Sequence, residues 1–200
     1  MERSRFMSLA TPERRELLAI ARASVDSALS RSRTSGELMP FTATTLPPAL
    51  MERRSSFVTL HRNEELRGCC GTLDAPRPLA EDVWRNAWAA AFNDYRFPPL
   101  TAAEWPQVTL HLSILTTPER LDVASEEQLL AALRPGVDGL ILESDTGRAT
   151  FLPAVWEQLA EPAAFVRHLK MKAGWPGAYW SNGVRAFRYT TESFDEESSG

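Results

Sequence analysis

Residues 57–73 read FVTLHRNEELRGCCGTL. Phe57-Val58-Thr59-Leu60-His61 is a β-type run, Asn63-Glu64 can turn, and Leu66 to Leu73 returns, so the stretch predicts a β-hairpin. Straight pairing across that turn sets Cys69 opposite Val58 and Cys70 opposite Phe57, and it puts His61 on the face of Cys70. Gly68 and Gly71 in the return strand mark a bulge, or a place where another backbone or a ligand comes close. Next comes a helix opened by Pro78. Its apolar residues Val83, Trp84, Ala87, Trp88, Ala91 and Phe92 cover a wide face that needs a sheet beneath it, with both tryptophans read as core. A hairpin followed by a helix that packs on it predicts an α+β fold.

Upstream, Thr11-Pro12-Glu13 combines a capping hydroxyl, an N1 proline and a first-turn acid, and Leu17, Leu18, Ala21, Val25, Ala28 and Leu29 continue at helical spacing to about Ser30. Ser32 to Ser56, with Gly36, Pro40, Pro47 and Pro48, reads as a long irregular loop. Downstream, Tyr95 to Leu100 breaks the second helix, and Thr101 with Glu104 forms a capping box. Val108 to Ile114 alternates as a strand with one wet face. Ser125 with Gln128 caps a helix running to Leu133, and Leu140–Glu143 with Arg148–Leu152 form a second hairpin around Asp145-Thr146-Gly147. Pro153 and Pro162 each open a helix, Gly174 closes the second, and Val184 to Tyr189 is a last strand. The order predicts a mixed or antiparallel sheet flanked by helices, with an N-terminal tail over 1–10 and an acidic disordered tail over 195–200.

The chain has 200 residues, 44% of them hydrophobic, which suits one compact domain or two tightly joined subdomains. A net charge of −4 provides no positive field for a phosphate backbone, so nucleic acid is not an expected partner. No stretch approaches the roughly 20 apolar residues that span a bilayer, and none resembles a leader. The two cysteines are adjacent and offer no disulfide framework, so a cytoplasmic protein is expected.

Arg67 lies two residues from Cys69 and shares its face unless a bulge intervenes, a pairing suited to a thiolate or a bound anion. The blander reading of Cys69 is a small buried hydrophobe, since free cysteines are commonly buried fillers. A disulfide between adjacent residues would need a strained ring. His61, His111 and His168 stand at no diagnostic spacing. There is no Cys-x-x-Cys, His-x-x-x-His or carboxylate cluster, so no metal and no cofactor is expected. Asp94 and Arg96 flank the break after the second helix, where the simple reading is an ion pair that fixes the loop.

Leu66-Arg67-Gly68-Cys69-Cys70-Gly71-Thr72 and Asp94-Tyr95-Arg96-Phe97-Pro98-Pro99-Leu100-Thr101 together resemble the AMMECR domain family. Supporting stretches are Leu46 to Leu50, Phe57 to Leu60, Gly136 to Leu140, Ala149 to Pro153 and Lys172 to Gly174. The family motif usually reads L-R-G-C-I-G, so Cys70 stands where isoleucine is expected, and its turn usually reads Asn-Gly where this chain has Asn63-Glu64. The resemblance implies two unequal subdomains packed into one unit over 11–194, with the motif near a cleft between them. Bacterial members resemble the protein A component of a three-part system with a Memo-type protein and a radical SAM enzyme. The resemblance therefore implies those two proteins as partners, and a bacterial source.

Three readings follow. In the first, the chain is a soluble accessory or binding component: Arg67 holds an anionic small molecule or peptide, Cys69 touches or carries it, Gly68, Gly71 and Thr72 line the site, and Asp94 with Arg96 shapes the rim. In the second it is a cysteine-dependent transferase or hydrolase, with Cys69 as nucleophile and backbone amides near Gly68 and Gly71 as oxyanion donors. In the third it is a non-catalytic interaction module. The residues alone leave open whether the chain is an enzyme.

Overall fold

The computed structural model describes residues 8–31, 37–42 and 45–196. Expectations for 1–7, 32–36, 43–44 and 197–200 lie outside the described residues. The described residues form five α-helices and two antiparallel sheets of four strands each. It divides into two compact units: the described residues up to Ile114 together with the chain from Glu192, and Leu115–Thr191.

In the first unit, α1 (Thr11–Arg31) and α3 (Leu79–Phe92) pack against a sheet of order β2-β1-β3-β8, formed by β1 (Ser56–Arg62), β2 (Glu65–Gly71), β3 (Val108–Leu115) and β8 (Thr191–Asp195). The periodic residues of α1 do what their spacing predicts: Leu17, Ala21 and Val25 are fully buried, against a core that includes Leu79, Val83 and Ala87 of α3 and Val58, Leu60, Leu110 and Leu112 of the strands. Trp84 and Trp88 are half-buried rather than fully buried, with Trp84 packed against the margin of this core. Trp84 also ties down the preceding loop, donating its indole N–H to the Met39 carbonyl at 2.8 Å with Phe41 tilted against its ring. That loop is not wholly irregular, because Pro48–Met51 forms a one-turn helix, α2, with Leu50 buried.

Residues expected in the two tails are held by the fold where they are described. Leu9 is buried, and its N–H bonds the Glu192 carboxylate. At the other end Asp195 completes β8, while Glu196 pairs with Arg22 at 2.6 Å and accepts the Leu110 N–H at 3.0 Å. The segment TESFD, which reads as the approach to an acidic tail, is the edge strand that returns the chain to its first sheet.

The second unit carries a sheet of order β4-β7-β5-β6, formed by β4 (Glu119–Leu121), β5 (Gly139–Ser144), β6 (Gly147–Phe151) and β7 (Arg185–Tyr189), with α4 (Glu126–Ala132) and α5 (Pro162–Lys172). The three-residue β4 is too short for any alternation to announce it. Ser125 caps α4 by accepting the Gln128 N–H, as expected, and Gly174 leaves α5 with φ of 83°. Pro153 opens only a short 3₁₀ segment, Pro153–Glu157, whose Trp156 stacks on Phe165 at 3.8 Å. Lys170, 1% exposed, pairs with Glu126 and pins α4 to α5. No helix among the described residues is long and apolar enough to cross a membrane.

The first unit depends on how closely β2 approaches α3. A Cβ placed on Gly68 would run into the carbonyl oxygen of Ala90, a backbone atom that cannot swing aside. Gly68→Ala is therefore expected to destabilise the protein by about 1–3 kcal/mol through overpacking, read as a lowered urea midpoint with an unchanged slope. An unchanged midpoint would show that β2 and α3 can separate freely.

Candidate functional site

The first hairpin carries a bulge. Arg62 faces Glu65 and His61 faces Leu66, but Leu60 then faces Gly68, leaving Arg67 as the extra residue. The straight register expected from sequence is thus displaced by one: Cys69 stands opposite Thr59, not Val58, and Cys70 opposite Val58, not Phe57. The faces change accordingly. Cys70 packs against the helix-side core, where burial raises its thiol pKa. Cys69 lies half-buried on the other face, where the Thr59 hydroxyl donates to Sγ at 3.4 Å. His61 falls on the face of Cys69 and not that of Cys70.

Asp94 reaches this motif from the end of α3, where Asn93 caps the helix and Pro98-Pro99 prevent its continuing. Its Oδ2 accepts the backbone N–H of Cys69 at 2.9 Å, and Arg96 grips the same carboxylate through Nε at 2.9 Å and Nη2 at 2.7 Å. The Arg96 guanidinium, helped by the Cys69 and Arg96 amides, holds the Asp94 carboxyl down at a pKa of about 2, and Asp94 raises that of Arg96 in return. Because β2 is an edge strand, this carboxylate caps an N–H that would otherwise face outward.

Arg67 turns inward. It is 9% exposed, donates through Nε and Nη2 to Glu104 at 3.0 and 3.3 Å and through Nη2 to the Pro98 carbonyl at 3.0 Å, and lies 5.9 Å from the Phe97 ring centre. The Arg67 guanidinium brings the Glu104 carboxyl down to a pKa of about 2, with Thr101 adding two hydrogen bonds in the expected capping box. Arg67 thus clamps the Asp94–Thr101 loop onto β2, and its charge faces Glu104. The exposed cation of the motif is Arg96.

The remaining expected ligand residues make contacts within the fold. Gly68 meets Ala90, and Gly71 lies beneath the Phe57 ring. Thr72 donates at 2.6 Å to Asp82, a fully buried carboxylate that also accepts from Ser56 N and Oγ, Asn86 and Arg77. Sequence reasoning passed over Asp82 and Asn86. Their signal is a polar pair four residues apart on the buried face of an otherwise apolar helix.

Among the described residues, no imidazole hydrogen-bonds Cys69. His111 stands opposite Thr59 on β3, one strand further from the thiol, and burial lowers its pKa. His168 lies on α5 in the other unit. No three of His, Cys, Asp and Glu among the described residues are grouped to hold a metal ion. Between the two halves of the Asp94–Arg96 latch, Tyr95 is 96% exposed.

The sequence profile of the AMMECR1 family matches residues 18–194. A protein of Methanothermobacter thermautotrophicus is 34% identical over 197 residues, 96% of this chain and 99% of that one. A second, from Methanocaldococcus jannaschii, is 36% identical over 154 residues, 75% of this chain and 77% of the relative. The crystal structure of an uncharacterised protein from Pyrococcus horikoshii superposes with a TM-score of 0.81 at 30% identity, covering 92% of this chain and 91% of that one. These three are archaeal, so they give the expected bacterial source no support.

Two carboxylates held near pKa 2 make this site sensitive to acid. Both are depressed in the folded state, so their contribution is complete above about pH 5 and is lost progressively as pH falls through about 2. Urea unfolding followed by tryptophan fluorescence should lose on the order of 2 kcal/mol per carboxylate across that window, and less in Asp94→Asn and Glu104→Gln. Identical acid profiles in variants and wild type would show that these ion pairs do not hold the loop.

Proposed function

This chain belongs to the AMMECR1 family, and we propose that it acts as a binding component, presenting the surface built on LRGCCGT to a partner protein rather than hydrolysing a substrate by itself. The observation that carries this reading is Tyr95. An aromatic ring 96% exposed is held between two residues locked to each other and to β2, so its backbone is fixed while its ring meets solvent. Rigid, exposed tyrosines beside an arginine are typical anchors of protein interfaces. Leu66 adds exposed apolar surface on the neighbouring strand. The partners that the resemblance implies, a Memo-type protein and a radical SAM enzyme in a cytoplasmic three-component system, are the proposed occupants. Any anionic group on the occupant meets Arg96 at the rim, since the charge of Arg67 faces Glu104.

Two features weigh against the rival transferase or hydrolase. The Cys69 amide, a natural oxyanion donor, is already given to the Asp94 carboxylate, whose negative charge would oppose a developing oxyanion. The thiol sulfur accepts from the Thr59 hydroxyl, which donates to sulfur and does not draw off its proton.

The test is sedimentation of the full chain with each purified candidate partner. We expect a complex that Tyr95→Ala weakens more than tenfold at unchanged melting temperature. Arg67→Ala is a poor probe, because releasing Glu104 and the loop would lower stability directly. Absence of a complex with both proteins, or one indifferent to Tyr95, would refute the proposal. In parallel, iodoacetamide should label Cys69 no faster than free cysteine near neutral pH. Labelling at least tenfold faster would move the assignment to the nucleophile.

A further inference from the structure

The Asp94–Arg96 latch leaves part of the Arg96 fork unused. A planar guanidinium can meet a carboxylate along either of two edges, Nε with Nη2 or Nη1 with Nη2. Asp94 occupies the first: Nε donates to Oδ1 at 2.9 Å and Nη2 to Oδ2 at 2.7 Å. Among the described residues nothing accepts from Nη1. The second edge therefore has donors to spare, on a side chain that is 44% exposed.

That edge is also held in place. The Asp94 carboxylate is fixed by the Cys69 N–H at 2.9 Å and the Arg96 N–H at 3.2 Å, and the Arg96 guanidinium carbon lies 5.5 Å from the Phe97 ring centre. An external carboxylate thus meets a fork already oriented, and binding it costs the arginine little freedom. Arg67 shows why depth decides. It gives the same Nε–Nη2 edge to Glu104, and its Nη1 also lacks an acceptor, but that atom is shut off from solvent.

The strength of the contact selects the source of the carboxylate. A single exposed ion pair is too weak to hold a free small anion. It becomes effective once other contacts have placed the acid beside it, and Tyr95, next in the chain and 96% exposed, is the residue available to make them.

We propose that the Nη1–Nη2 edge of Arg96 receives an aspartate or glutamate side chain of the partner protein, in a paired hydrogen bond formed while Asp94 stays on the other edge. This rests on the docking role of Tyr95 and adds the chemistry of the residue that meets it. Asp94 is then a positioning residue: it aims the guanidinium and does not touch the partner's acid.

The test uses the full chain with whichever candidate protein sediments with it, comparing wild type with Arg96→Lys and Arg96→Ala. Lysine keeps the charge but offers no planar pair of donors. The incoming acid shares Arg96 with Asp94, so we expect each variant to raise Kd by about tenfold and not more, the loss of a charge-assisted hydrogen bond. Phenylglyoxal, which condenses with exposed guanidinium groups, gives a second reading on the unmutated chain: peptide mapping should find Arg96 modified when free and protected in the complex. Sodium acetate and sodium phosphate at about 10 mM should give no saturable heat with the chain alone. The proposal fails if Arg96→Lys binds like wild type, or if Arg96 reacts equally in the free chain and the complex; a complex that still needs Tyr95 would in either case leave the docking role standing. Saturable binding of acetate or phosphate would overturn the assignment to a partner side chain. Absence of any complex overturns both readings.

Discussion

The first unit is organised by a steric constraint: at Gly68, β2 meets the backbone of α3 with no side chain between them. The end of α3 is thereby brought beside the outer edge of β2, where Asp94 reaches the Cys69 amide. The loop that follows the helix passes over the bulge, where Arg67 can hold both Glu104 and the Pro98 carbonyl. At the start of α3, the same closeness lets buried Asp82 collect hydrogen bonds from β1, from Thr72 beyond β2 and from α3 itself. Close backbone approach is permitted only by glycine, and it makes short side chains sufficient to join helix and sheet.

Legibility in the sequence follows how local each determinant is. Helix starts at Thr11, Pro78 and Ser125 and the turns at Asn63 and Asp145 depend on a few adjacent residues, and the structure places the elements there. The hairpin register does not depend on them. A bulge at Arg67 is a response to Glu104, 37 residues away, and counting from the turn cannot detect it. Strand β8 was hidden for a related reason: Thr191-Glu192-Ser193-Phe194-Asp195 is polar enough to read as an approach to a tail. It is ordered because Glu192 receives Arg14, Ser193 meets Ser113 and Phe194 enters the core. At the site, sequence reasoning named Arg67, Cys69, Asp94 and Arg96, and the structure brings all four to one strand edge. Their division into a buried clamp and an exposed latch was not readable, because both pairs are simply acid with arginine until their depths are known.

Charge complementarity explains why so polar a motif tolerates burial. Arg67 and Arg96 each face one carboxylate, and each carboxylate is driven towards pKa 2 by its own arginine first. The pairs differ in purpose because they differ in exposure. Breaking the Arg67–Glu104 pair would strand a charge away from water, whereas the Arg96 side chain is 44% exposed and can exchange Asp94 for an external acceptor at lower cost. Under the binding role proposed above, variation in partner preference would reside in residues 95 and 96 before residue 67.

The two adjacent thiols show the same logic at the scale of one peptide. Successive residues of a strand face opposite sides of a sheet, so pairing Cys69 with Thr59 and Cys70 with Val58 assigns one sulfur to the polar face and the other to the core. A bond between them would require both sulfurs on one side, and with it the loss of ladder pairing next to the Gly68 contact. Cys70 can therefore substitute for a branched apolar residue without becoming a redox partner of its neighbour. The desolvation that makes it a core residue also keeps its proton in place. Chemical selectivity between these neighbours is set by the pleat of β2, and the pleat in turn by the bulge at Arg67.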